Sequence, residues 1–336
     1  MINKKLKVGY LIVGRLKSTR LPKKLLLEIK GQPILGHMID RIKIAKNIDE
    51  IVICTSTCSQ DKPLLDFAKK KCVKSYAGHP EDVLARLLAA ADKFGYDYIL
   101  TITADCPFVD PFYADKIVEK YIETGADLIR QFDLPHGAFS YGMKVSTLRK
   151  ILEIKDTDET EVWGRYFTDT GLFNVLDVDV KPFHKRPGLR MTLDYPEDFD
   201  FFSIIFAELY EKNKIFSLDD ILTLLDKRPE IININKACSQ RFKKRFDIQS
   251  EPKLKKIRKV TKALIIGSGS IGQRHIRNLQ KIGISSIVAL RSKKGHYKKL
   301  PRDLNISEVI SWEEAIAFKP DIAIVANPTS MHNDAV

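Results

Sequence analysis

Cysteine is scarce in this chain, with five in 336 residues. A sparse, odd set does not build a disulfide framework, so a reducing, cytoplasmic setting is expected. Cys54 and Cys58 lack the second pair or nearby histidine that a zinc site needs. Cys106 reads as a small buried residue rather than a nucleophile. No apolar run approaches the roughly 18 residues of a membrane helix, which argues against a membrane partner. The first apolar run, Val8 to Val13, is too short for a signal-peptide core, and Arg15, Lys17 and Arg20 follow it instead of small residues. Internal repeats and low-complexity tracts are also lacking.

An excess of acid is lacking too: the net charge is +13, which invites a nucleic-acid reading. Its location argues otherwise. The stretch from Lys236 to Lys262 holds 11 Lys/Arg against 2 Asp/Glu and so carries +9 of the total. A local run of this kind reads as a solvated connector, and no nucleic-acid partner is expected. The chain therefore divides into a domain over 1–235, a basic linker over 236–261 and a shorter segment over 262–336.

Strand and helix signals alternate before the linker, the pattern of an α/β domain with a mostly parallel sheet and helices on both faces. Strands are expected at Val8 to Val13, Glu50 to Thr55, Tyr98 to Thr103 and Leu172 to Val178. Helices are expected at Ile34 to Ala45, Pro63 to Lys71, Pro80 to Phe94, Pro111 to Glu123 and Pro196 to Tyr210. After the linker the pattern restarts, with strands at Ala263 to Ile266, Ile287 to Leu290 and Ile322 to Ala326 and helices at Ile271 to Ile282 and Trp312 to Phe318.

The first strand runs into G-R-L-K-S-T-R-L-P-K-K, Gly14 to Lys24, a loop crowded with cations and hydroxyls. Such a loop can wrap a triphosphate. It lacks the glycines and the Gly-Lys-Ser/Thr ending of a Walker loop. Asp105, in T-A-D-C-P, falls just past the carboxyl end of a parallel strand, where open α/β sheets bind ligands. Asp194, in L-D-Y-P-E-D, is a second acid able to share one Mg²⁺ with it. The competing reading makes Asp194 and Asp198 helix caps.

These segments, with AGHPEDVLARLLAAADKFGYDYIL, resemble the cytidylyltransferases: the acylneuraminate, 3-deoxy-manno-octulosonate and spore-coat-polysaccharide types. The resemblance runs from about Leu6 to Ile234 and implies a Rossmann-like nucleotidyltransferase domain. It implies that Arg15, Ser18, Arg20 and Lys24 bind the triphosphate, and that Glu81 and Asp82 help form the nucleotide pocket. Arg15, Lys24 and Asp105 would be catalytic, and Asp105 and Asp194 would hold Mg²⁺. The implied substrates are CTP and an acidic sugar, the implied products a CMP-sugar and pyrophosphate, and a homodimer is the expected assembly. The segment ETEVWGRYF departs from the spore-coat pattern on the sugar side, where His136, Tyr141, Glu161 and Arg165 are the candidate contacts. A sugar-1-phosphate nucleotidyltransferase using UTP or dTTP is the alternative, but its loop typically carries glycines absent here.

In the last segment G-x-G-x-x-G falls at Gly267, Gly269 and Gly272, between a strand and a helix. The stretch resembles the start of the glucose–fructose oxidoreductase/inositol dehydrogenase family and reads as a partial Rossmann segment. Arg291 stands where a ribose-binding acid is usual, which favours NADP over NAD. An NADP-dependent oxidoreductase is the reading if the native gene continues. Removing everything after about Ile234 is expected to leave the transferase intact.

Overall fold

The computed structural model describes residues 5–249, 252–255, 261–291 and 300–326. Ser292, Lys293, Lys294, the NPTSMH stretch with His332, and residues 256–260 of the expected linker lie outside the described residues. The chain forms two units, Met1–Lys255 and Lys256–Val336.

The first unit opens with β1 (Val8–Val13), then β2 (Glu28–Ile29), β3 (Gln32–Pro33), α1 (Ile34–Ile42), β4 (Glu50–Ser56), α2 (Lys62–Lys70) and β5 (Lys74–Gly78). It continues with α3 (Val83–Phe94), β6 (Tyr98–Thr103), α4 (Pro111–Thr124), β7 (Leu128–Arg130), β8 (Tyr141–Lys144), α5 (Val145–Ile154), α6 (Gly164–Thr168) and β9 (Val175–Asp177). It closes with α7 (Pro196–Leu209), α8 (Leu218–Lys227), α9 (Glu230–Ile234) and α10 (Lys236–Gln249). A seven-stranded sheet has the order β5-β4-β1-β6-β8-β7-β9. Its left half is parallel, and β8 runs antiparallel to both β6 and β7. One face is packed by α1, α2, α4, α7 and α8, the other by α3, α5 and α6. β1 is apolar throughout because it is central and covered on both sides.

Three expectations need correction. α3 begins at Val83, not Pro80, because the Asp82 side chain accepts from Ala85 N–H (3.1 Å) and caps the helix there. The last strand of the first unit is confined to Val175–Asp177, where β7 offers it a partner. The basic stretch after Asn235 is not simply a connector: Lys236–Gln249 is helical, with Cys238 wholly buried. Further on, Lys255 N–H donates to Ile154 O (2.8 Å), tying that stretch to the end of α5.

The second unit contains β10 (Lys262–Ile266), α11 (Ser270–Lys281), β11 (Ser286–Leu290), β12 (Ser307–Val309), α12 (Trp312–Ala317) and β13 (Ile322–Val325). Its four strands form a parallel sheet in the order β12-β11-β10-β13. Among the described residues no helix is long and apolar enough to cross a membrane.

Candidate active site

β1 has β4 on one side and β6 on the other, so the loops leaving β1 and β6 part at a topological switch point. Ala104 N–H donates to Val13 O (2.7 Å), which holds those two loops together. Leu193 N–H donates to Asp105 O (2.8 Å), which straps a third segment, Arg190 to Asp194, across them. Three stretches distant in sequence thus meet at one place.

At their meeting point the Lys24 ammonium lies between two carboxylates. It donates to Asp105 Oδ2 and to Asp194 Oδ1 (2.9 Å). Burial works against the Lys24 charge, but Asp105 and Asp194 outweigh it and hold its pKa above the ordinary lysine value. Asp194 also accepts from Arg20 Nη2 (2.6 Å) and Arg190 Nη2 (2.9 Å). Burial opposes its ionisation as well, yet Lys24 and Arg190 hold it well below the usual carboxylate range. Arg190 continues to Asp198 through two bonds of 2.9 and 3.0 Å. Asp198 in turn accepts from the backbone N–H groups of Asp194 (2.9 Å) and Tyr195 (3.0 Å). Asp198 therefore caps α7, as the competing reading held, whereas Asp194 faces the cations.

Nearer solvent is a second cluster. Arg15 donates to Pro80 O (2.6 Å) and pairs with Glu81 (2.8 Å) and Glu161 (3.5 Å). Lys17 joins Glu81 at 3.1 Å. Buried Arg86 holds this turn by donating to His79 O and Pro80 O. Ser18 Oγ accepts from Leu21 N–H (3.3 Å), bending the loop toward Lys24.

Of the expected site residues, Arg20, Lys24, Asp105 and Asp194 share one centre, while Arg15, Glu81 and Glu161 share the other. Asp82 departs from expectation. Its buried carboxylate is taken by Lys155 (2.6 Å), Thr160 Oγ1 (2.8 Å) and the α3 cap, so it shapes the wall and offers no free oxygen to a nucleotide. Arg165 is exposed and pairs with Asp169 on its own turn, not with the carboxylate centre. His136 joins Arg190 in a short bridge, with His136 N–H donating to Leu189 O (2.8 Å) and Met191 N–H to His136 O (2.7 Å). Burial first, and Arg190 second, push its pKa down, so it is a neutral imidazole at pH 7. Tyr141 packs edge-on against Trp163 (4.9 Å), and burial raises its phenol pKa. Burial and then Asp105 raise the Cys106 thiol, which disfavours the thiolate there. Sequence reasoning missed Arg190 and Asp61. Arg190 had a signal, four residues before Asp194 in an apolar run; Asp61, which accepts from Leu16 N–H (2.6 Å), had none.

Two carboxylates closing on one ammonium are hard oxygen donors already arranged about a single cation, which fits Mg²⁺. Among the described residues no three His, Cys, Asp or Glu side chains are grouped so as to hold a metal ion, so phosphate oxygens and water would complete the shell.

In the second unit Gly267 has φ +98°, and a Cβ at Gly272 would meet Gly267 O at 2.0 Å, so strand, turn and α11 close as a dinucleotide loop requires. Gly269 stands at the α11 N-cap. Arg291 Nη1 donates to Glu308 Oε2 (2.5 Å).

A sequence profile of the cytidylyltransferase family matches residues 10–267, and one of the oxidoreductase family with an NAD-binding Rossmann fold matches 261–336. The spore coat polysaccharide biosynthesis protein SpsF of Bacillus subtilis is 25% identical over 232 residues, 66% of this chain and 95% of that protein. The 3-deoxy-manno-octulosonate cytidylyltransferase of Chloroherpeton thalassium is 27% identical over 124 residues, 36% of this chain and 48% of that protein. A solved cytidylyltransferase from Leptospira borgpetersenii, 28% identical, superposes with a TM-score of 0.62 over 68% of this chain and 97% of its own.

Proposed function

The chain belongs to the cytidylyltransferase family, and from that premise we propose that it transfers CMP from CTP to an acidic sugar, a 3-deoxy-2-ulosonic or nonulosonic acid, and releases pyrophosphate for surface-glycan biosynthesis. The observation that carries this reading is the Lys24 ammonium held between Asp105 and Asp194 at the switch point. In-line attack of a sugar hydroxyl on the α-phosphorus requires alignment and charge neutralisation more than covalent catalysis.

The chain's own groups meet those needs. Arg15, Ser18, Arg20 and Lys24 lie on one loop and offer their donors to the triphosphate. Lys24 and Arg190 keep Asp194 ionised, Arg20 adds a hydrogen bond to it, and the backbone bond from Leu193 to Asp105 fixes the two acids relative to each other. Asp105 and Asp194 would hold Mg²⁺, which when bound supplies positive charge to phosphate oxygens. His136, Tyr141 and Glu161 are the residues we assign to the sugar, and Glu161 pairs with Arg15 at 3.5 Å. The reading places the enzyme in the cytoplasm, where CTP is supplied. For the second unit, the loop of Gly267, Gly269 and Gly272 would hold a dinucleotide pyrophosphate.

Pyrophosphate release decides the matter. The purified protein with Mg²⁺ is offered CTP, UTP or dTTP against a panel of ulosonic acids and sugar 1-phosphates. Release with CTP and an ulosonic acid is expected. Release only with UTP or dTTP and a sugar 1-phosphate would overturn the proposal.

A further inference from the structure

Helix α10 follows the last transferase motif in sequence, yet its side chains return to the carboxylate centre. Asn235, just ahead of it, donates from Nδ2 to Asp198 Oδ1 (2.9 Å) and to Arg190 O (3.3 Å). Cys238 is fully buried and anchors the first turn. Arg241 pairs with Glu197 (2.7 Å) and lays its guanidinium 4.2 Å from the centre of the Tyr195 ring. One residue on, the Phe242 ring centre lies 5.0 Å from that of His136 and 5.4 Å from the Arg190 guanidinium.

Arg190 is the group most in need of such a neighbour. It is buried; its Nε and Nη2 bind Asp194 and Asp198, but its Nη1 is buried without a hydrogen-bond partner. Hydrogen bonds hold one edge of the guanidinium plane, and packing has to hold the rest. An aromatic ring beside a desolvated cation does so, excluding water and attracting the charge.

We infer that Phe242 is a positioning residue of the transferase site: its ring fixes Arg190, and through Arg190 the Asp194 carboxylate. The inference rests on the proposed role of Asp194. It departs from the sequence reading, in which everything after about Ile234 was dispensable. The ring packs on Arg190 and His136, so its loss should weaken the chemical step more than nucleotide binding.

The test uses the full chain with Phe242→Ala, Phe242→Leu and Phe242→Tyr. Steady-state kinetics are measured with CTP and the acidic sugar found active, and the melting temperature of each variant is recorded. Phe242→Ala and Phe242→Leu should lower kcat about tenfold, the effect of a contact worth about 1.4 kcal/mol, with KM for CTP within about twofold of the parent. Phe242→Tyr, which keeps the ring, should restore kcat to within about twofold. If the alanine variant does not fold, the leucine variant, which keeps apolar bulk, decides. A leucine variant at parental kcat, or a tyrosine variant as slow as the leucine one, would overturn the inference. Asp105→Asn is assayed alongside. If it is inactive while Phe242→Leu turns over normally, only the positioning role fails; if it turns over normally, the proposed function fails with it.

Discussion

Lys24 and its two acids divide stability from chemistry in different proportions. Asp105 is partly open and bonded to Lys24, whereas Asp194 is buried and carries Lys24, Arg20 and Arg190 at once. Asp105→Asn should therefore abolish most turnover with little change in melting temperature. Asp194→Asn should abolish turnover and also cost about 3 kcal/mol of folding free energy, because it strips the counter-charge from buried cations. Denaturant titration of both variants checks the contrast, and equal stability would refute the burial argument. Lys24→Ala should lower kcat/KM for CTP by roughly 10- to 150-fold, the loss of one charge-assisted phosphate contact of about 1.5–3 kcal/mol. A change under about twofold would mean that the loop is only a basic turn. The loop, Asp105 and Asp194 were legible in the sequence because each lies in a local motif. Arg190 was not, since its role depends on a fold that brings Tyr195, Asp198 and Phe242 around it.

Among the elements, the start of α3 teaches the most. The sequence PED reads as an acidic first turn presented to a nucleotide, but Asp82 turns inward to Lys155 and Thr160 from a distant segment. Asp82→Ala should cost about 3 kcal/mol or more, combining a lost cap with a broken buried ion pair. KM for CTP should change little in this variant, and a large rise in KM at unchanged stability would return Asp82 to the nucleotide pocket. The long strands β1, β4 and β6 were readable because their apolar runs are buried on both faces. The short β7, β8 and β9 owe their form to pairing with their neighbours at this end of the sheet and carry little pattern of their own. Gly137, with φ +106°, marks the same dependence: a Cβ there would meet Met191 O at 2.2 Å, beside the His136–Arg190 bridge.

At the scale of the whole chain, the boundary between units falls at Lys255, past α10. A protein ending at Lys255 should keep turnover per active site, and one ending at Ile234 should lose most of it. Turnover per soluble monomer separates the two; equal activity would show that α10 is dispensable. Acid stability offers a second test. His37 is lowered by burial, and His136 by burial and Arg190, so each is neutral in the fold. Their contribution is complete above the unfolded histidine value near 6.5 and is lost as pH falls through the lower folded values. Unfolding free energy should therefore decline as the pH falls below about 6.5, and the decline should shrink in a His37→Gln, His136→Gln double variant. A flat profile in the parent would contradict the burial of these imidazoles.

The fold class, the order of the long elements, the basic loop after β1, the positions of Asp105 and Asp194 and the second Rossmann start could all be read from the chain alone. Each of these is written within a few consecutive residues, as an apolar run, a turn or a capping pattern. The tertiary structure decided which charges meet. Lys24, Asp105 and Asp194 become one centre because β1, β6 and the strap from Arg190 to Asp194 converge at the switch point. It also decided that Asp82 turns to Lys155 and Thr160, that Arg165 and Arg291 are engaged by Asp169 and Glu308, and that a basic run read as a connector begins with a helix bearing on Arg190. Side-chain partners at long sequence separation depend on burial and packing, and no local pattern of charge or spacing specifies those.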